Sequence, residues 1–210
     1  MRDFWITPPD ETDLKSACKV FEASITDAFE QEGLGHLKEE ILKEIEHKKN
    51  LLTYSLKNPA ADVYFLVAKT GDRVIGTISF GPCGSDIKTC TNNRLAPIGE
   101  LGSLYVLPSD QGRGAGSALI HAMIKHLHDS GVEQFCLDSG YKRAQQKWLR
   151  KFGEPFTIAK DYWGTGCDHM IWLCKVADYV KENAAWGTRH GDSSIRLTTD
   201  GRRSAFQEKK

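Results

Sequence analysis

Apolar positions along this chain recur with two periods, and the switches between them lay out its elements. Phe4–Ile6 reads as a short first strand, closed by Pro8 and Pro9. Asp10 or Thr12 supplies a cap for the next helix. Leu14, Ala17, Cys18, Phe21, Ile25, Ala28 and Phe29 then fall on one helical stripe, which Gly33 and Gly35 break. A second helix is expected from Leu37 to Leu56, with Leu37, Ile41, Ile45, Leu52 and Leu56 on one side. Its charged runs, such as Lys38-Glu39-Glu40, read as a solvated face. Asn58-Pro59 stops it. Asp62–Lys69 and Arg73–Phe80 are strands joined by the turn Thr70-Gly71-Asp72.

Gly81–Ala96 reads as a long polar loop carrying Cys83 and Cys90, and loops of that length often carry function. Ile98–Leu107 is the central strand. A helix over 114–130, a strand Gln134–Ser139, a helix Arg143–Phe152 and strands Phe156–Ala159 and His169–Val176 complete the order. That order, β-αα-βββ-α-β-α-ββ, predicts a mixed α/β sheet with helices on both faces. After Val176 the composition shifts. From Gly187 to Lys210 the chain is rich in Gly, Ser, Thr, Arg and Asp, and its large apolar residues are Ile195, Leu197 and Phe206. One domain over residues 1–180 with a flexible tail over 181–210 is therefore expected.

Composition narrows the partners. A chain of 210 residues is long enough for one sizeable core. Its 28 basic and 28 acidic residues cancel, so charge gives no case for nucleic acid or an anionic membrane as main partner. The start lacks an apolar signal region, and no apolar run approaches the roughly 18 residues of a membrane span, so a cytoplasmic protein is expected. Six cysteines, at 18, 83, 90, 136, 167 and 174, form no C-x-x-C pair, which argues against zinc. Cys18, Cys136 and Cys174 read as small core residues. No local signature supports a catalytic Cys–His pair for Cys83, Cys90 or Cys167. His126 and His128 lie two apart, point to different helix faces and read as surface residues.

The candidate chemistry lies in Leu101–Met123. A buried strand ends at Pro108, a tight turn follows, and an amphipathic helix carries Leu119, Ile120, Met123, Ile124 and Leu127. Between them stand Gly112, Gly114 and Gly116. Open backbone N–H groups at a helix start, with no side chains in the way, suit a diphosphate. A P-loop would need Gly-Lys-Ser/Thr, but the chain has Gly114-Ala115-Gly116-Ser117. A dinucleotide fingerprint fails at its third glycine, where Ser117 stands, although Asp138 after the next strand keeps that reading open.

A third pattern, Q/R-x-x-G-x-G/A after a strand ending in V-x-P, matches Gln111-Gly112-Arg113-Gly114-Ala115-Gly116 at every fixed position. This resembles the acetyl-CoA-binding motif of the GNAT superfamily of N-acetyltransferases. Leu104–Pro108 resembles that family's core strand, Ala144 and Gly153 a weakened copy of its A-x-x-x-Y-x-x-x-G helix, and Phe156–Val176 its last hairpin. The resemblance implies a mostly antiparallel central sheet with helices on both faces and acetyl-CoA as cosubstrate, without a metal. It implies a small-molecule or peptide amine as acceptor and leaves a homodimer open. It places pantetheine on the strand Leu104, Tyr105 and Val106, and pyrophosphate on Gln111, Gly112, Arg113, Gly114, Ala115, Gly116 and Ser117.

Acetyl transfer must remove a proton from an ammonium of pKa ~10.4, stabilise an oxyanion and release a thiolate. Glu100 lies 11 residues before Gln111, the spacing of the catalytic glutamate in the family's histone-acetyltransferase branch, and is the candidate base. The family's acid, a tyrosine four residues past Ala144, is here Trp148, which has no titratable proton. Tyr141 and Tyr162 are the substitutes. The acceptor site is expected among the two N-terminal helices, the Gly81–Ala96 loop and the Asp161–His169 turn. There Asp86, Asp161 and Asp168 offer charge to an ammonium group, and Tyr162 and Trp163 an aromatic wall. Two other readings stay open: a non-catalytic acetyl-CoA-binding module and a dinucleotide-binding oxidoreductase.

Overall fold

The computed structural model describes residues 4–180. Its strands and α-helices follow in this chain order: β1 (Trp5–Thr7), α1 (Leu14–Gln31), α2 (Lys38–Lys57), β2 (Tyr64–Thr70), β3 (Arg73–Gly81), α3 (Ser85–Cys90), β4 (Gly99–Val106), α4 (Ala115–Asp129), β5 (Gln134–Ser139), α5 (Lys142–Phe152), β6 (Thr157–Ala159) and β7 (His169–Lys175). The strands form one sheet in the order β1-β2-β3-β4-β5-β7-β6. Every neighbouring pair is antiparallel except β4–β5, which is parallel. The mixed, mostly antiparallel sheet with helices on both faces is the expected architecture.

The two faces are covered by different helices because strand side chains alternate. On one face α1 and α2 lay Ala17, Phe21, Ile25 and Leu52 on Phe65, Val67 and Val74. On the other, α4 and α5 lay Leu119, Met123 and Phe152 on Leu66, Ile78, Leu137 and Trp172. Each large side chain so buried is worth about 1.5–3 kcal/mol.

Four expectations change. Gly81–Ala96 is not simply a polar loop. It folds into α3, whose Ile87 is fully buried with Cys83, Leu95, Cys136 and Ile171. A helix of six residues with one buried apolar position shows no period to read. His126 is not a surface residue: it is half-buried and stacked on Tyr64 with centroids 4.0 Å apart, and burial lowers its pKa. The last strand ends at Lys175, and the chain turns helical at Val176, so that Tyr179 packs on Phe135 and Phe152. Cys136 and Cys174 are buried as expected, whereas Cys18 is half-buried. The tail expected over 181–210 lies outside the described residues.

One irregularity positions the site. Pairing of β3 with β4 shifts between Thr77↔Tyr105 and Ser79↔Gly102, which leaves one extra residue on β4. Ser103 absorbs it at φ +49°, and Thr77 Oγ1 donates to the Ser103 carbonyl at 2.8 Å. This is a β-bulge.

Candidate active site

Strands β4 and β5 pair at Gly99↔Phe135 and Glu100↔Cys136 and, among the described residues, nowhere else. Both run on, β4 to Val106 and β5 to Ser139, so they part beyond Glu100 like the arms of a V. Backbone groups on the inner edge of that opening have no neighbouring strand, and buried backbone groups need partners. The opening leads toward the start of α4.

There the turn predicted from glycines is a backbone cradle. Gly112 and Gly114 have φ of +77° and +87°, a region that L side chains rarely adopt, and open space lies where their Cβ atoms would be. Gly114 caps α4, and the first intrahelical bond is Ala118 N–H to the Gly114 carbonyl at 3.0 Å. The N–H groups of Ala115, Gly116 and Ser117 precede that bond, as at any helix start. Gln111 Nε2 and Ser24 Oγ both donate to the Val106 carbonyl, at 3.1 and 3.0 Å, and tie the turn to β4 and α1. Asp110 is buried under the turn and accepts from Arg73 at 3.3 Å, while the exposed Arg113 reaches it at 3.7 Å. An ion pair of that kind is worth about 0–1 kcal/mol, so Arg113 is cheaply redirected to an incoming anion. The cradle and the strand opening fit a diphosphate with an extended arm.

At the apex of the V stands Glu100. Its Oε2 accepts the Gly84 N–H at 2.7 Å. Two glycines make room for this carboxylate: a Cβ on Gly84 would lie 2.9 Å from Oε2, and one on Gly102 3.0 Å from Oε1. Burial, then the charge of Asp138, pushes the Glu100 pKa up to about 7. Asp138 lies on β5 two residues beyond Cys136, the register partner of Glu100, and hence on the same sheet face. Its Oδ2 accepts from His169 Nε2 at 2.9 Å. Trp163 Nε1 donates to His169 Nδ1 at 3.0 Å. That bond requires a bare Nδ1, so the ring carries its proton on Nε2 and gives it to Asp138.

The other candidates divide. Tyr105 is half-buried, its hydroxyl donating to Glu44 on α2 at 3.2 Å, and Glu44 also holds Lys48 at 3.2 Å. Tyr162 donates to Asp86 at 2.9 Å, which with burial pushes its pKa up to about 12. Tyr141 caps α5 and sets its ring edge-on to Phe29 at 5.7 Å; burial raises its pKa strongly. Trp148 packs on the core beside Phe152. Asp161 and Asp168 are spent inside their hairpin. Asp168 accepts from Lys160 at 2.6 Å and the Asp161 N–H at 3.0 Å, and Asp161 accepts the Gly166 N–H. The Asp138–His169–Trp163 chain escaped sequence reading, because three residues from two strands and a turn carry no local spacing. Gln145 shares that fate: buried on α5, its Nε2 ties the Ser139 and Asp168 carbonyls together at 2.9 and 2.8 Å. Among the described residues no group of His, Cys, Asp or Glu is placed to hold a metal ion, and no helix is long and apolar enough to cross a membrane.

The family model of the GNAT acetyltransferases matches residues 24–153, which span the V, the cradle and α5. This chain belongs to the GNAT family. Its reaction class is therefore acetyl transfer, and the dinucleotide-oxidoreductase reading falls. Solved structures share the fold. A putative GNAT acetyltransferase from Desulfovibrio desulfuricans matches with a TM-score of 0.59 at 18% identity, over 82% of this chain and 98% of its own. The PaiA N-acetyltransferase of Thermoplasma acidophilum, solved with coenzyme A, matches with 0.58 at 18% identity over the same shares, 82% and 98%. The ribosomal-protein-S18-alanine N-acetyltransferase of Escherichia coli gives 0.55 at 15% identity over 82% of this chain and 94% of its own. No curated protein sequence matches this chain.

Proposed function

We propose that this GNAT protein transfers acetyl from acetyl-CoA to a primary amine of a small cationic acceptor. The observation that carries the reading is the V between β4 and β5, with the open amides of α4 at its mouth and a half-buried carboxylate at its apex. Gly112–Ser117 binds the pyrophosphate through backbone N–H groups, and the backbone of Leu104, Tyr105 and Val106 binds the pantetheine arm. Glu100, Asp138 and Asp86 give the acceptor side a negative character that suits an ammonium group.

Glu100 takes a proton from that ammonium, directly or through a water. Its raised pKa leaves it about half ionised at neutral pH, where a base is most effective. The freed amine attacks the thioester carbon; a C–N bond forms, the C–S bond breaks, the nitrogen sheds its second proton to become an amide, and the thiolate takes one. Tyr141 is the better donor for that last step, because the Tyr162 hydroxyl is committed to Asp86.

The test is thiol release with acetyl-CoA and a panel of amines, polyamines, aminoglycosides and peptides. Turnover is expected with a cationic amine, and Glu100→Gln is expected to lower it by roughly 10²–10⁴-fold at neutral pH, the usual worth of a positioned base. Partial rescue of the variant at high pH is expected, since more acceptor is then already neutral. Stabilisation by acetyl-CoA without thiol release on any amine would make the protein a binding module instead.

A further inference from the structure

Glu100 does not stand alone on its sheet face. From β5, Asp138 and Cys136 face it; from the segment after β3, Cys83; from α3, Asp86; from α2, Lys48. Of these charges, Lys48 is already paired with Glu44 and Asp86 with Tyr162. Asp138 differs from both in how it is held. A relay of two directed hydrogen bonds, Trp163 Nε1–H to His169 Nδ1 and His169 Nε2–H to Asp138 Oδ2, fixes where its charge lies.

The relay is built with care for geometry. His169 is buried on β7, in ring contact with Tyr162 at 5.3 Å and Trp163 at 5.8 Å. Gly140 leaves the space that the indole needs: a Cβ there would lie 2.6 Å from Trp163 Nε1 and 3.4 Å from His169 Nδ1. Trp163 itself is 55% exposed, so the relay joins the outer rim of the acceptor side to the apex of the V.

We propose that Asp138, fixed by the Trp163–His169 relay, is the positioning residue that tunes Glu100 as the base. A carboxylate held on the same face repels the ionised form of Glu100, so the base keeps a stronger grip on a proton than burial alone would give it. The inference rests on Glu100 being the base, and its test separates the two ideas.

The experiment is the pH dependence of kcat/KM for wild type, Asp138→Asn and Glu100→Gln, with the best amine from the panel. Asn at 138 keeps an oxygen for His169 Nε2–H and removes the charge. The acidic limb, near pH 7 in the wild type, is expected to move to lower pH in Asp138→Asn, toward the ordinary glutamate value of 4.5. Carboxyl carbon NMR of the wild-type protein supplies a readout that needs no variant to fold: the Asp138 resonance is expected to inflect where Glu100 titrates. An unmoved limb in Asp138→Asn, or an Asp138 resonance blind to the Glu100 titration, overturns the inference while a slow Glu100→Gln leaves the base intact. Wild-type turnover in Glu100→Gln overturns the base itself, and the tuning role with it.

Discussion

The cradle at the start of α4 and the carboxylate at the apex of the V sit on the same strand–turn–helix, yet they are built on opposite principles. The cradle is made of backbone. It needs left-handed φ at Gly112 and Gly114 and the absence of side chains, and both are written in six consecutive letters. The apex is made of side chains and of the space around them. Glu100 from β4, Gly84 before α3, Asp138 from β5, His169 from β7 and Trp163 from the last hairpin meet there from five stretches of the chain. A backbone site is local and tolerates much around it. A side-chain site is as good as the fold that assembles it.

The contrast is broken first at the cradle. Gly114→Glu puts a side chain into a left-handed position and a negative charge where a diphosphate is to lie. Stabilisation of the wild-type protein by acetyl-CoA, rising with ligand concentration in a thermal-shift assay, is expected to vanish in this variant. A variant still stabilised by millimolar acetyl-CoA would mean that the anion sits elsewhere.

Next comes the platform of the apex. Ile87→Ala empties a fully buried position in the small cluster that seats α3, and a loss of about 2–5 kcal/mol in chemical denaturation is expected. Turnover of the folded variant is expected to fall as well, because Gly84 holds Glu100. Wild-type stability would return Gly81–Ala96 to the status of a plain loop.

Glu100 itself sharpens the comparison with an effect of opposite sign. Its pKa is about 7 in the fold against 4.5 when unfolded, so the folded state binds the extra proton between those values. Stability contributed by that proton is present below pH 4.5 and is lost as pH rises through 7. The loss is on the order of 3 kcal/mol at 1.36 kcal/mol per pKa unit, as an upper bound. Glu100→Gln carries no such loss. Relative to wild type it is expected to gain stability from pH 5 to pH 8, while losing turnover. An equal gap at both pH values would show that Glu100 is not a costly buried charge.

These differences explain what could be read beforehand. Helical stripes such as Leu14 to Phe29, and the turn at Thr70–Asp72, repeat a local period, and the fold followed from their order. The cradle was legible for the same reason. Glu100 was found through its distance from Gln111 in a family pattern, not through any property of its neighbours. Asp138 reads in the sequence only as a candidate ribose ligand, since nothing near it points to His169. The single buried apolar position of α3 gives no period for a sequence to show.

The bulge at Ser103 has a further consequence. It shifts the alternation of β4 by one, so that Glu100 and Tyr105, five apart, share a face that a regular strand would deny them. Between those two residues, the length of the chain is therefore more constrained than its letters. Substitutions of Leu101 or Leu104 by other apolar residues leave each side chain on its own face. Loss or gain of one residue sends every following side chain to the wrong side: Tyr105 leaves Glu44, Val106 leaves the α4 face, and the cradle is turned away from the V.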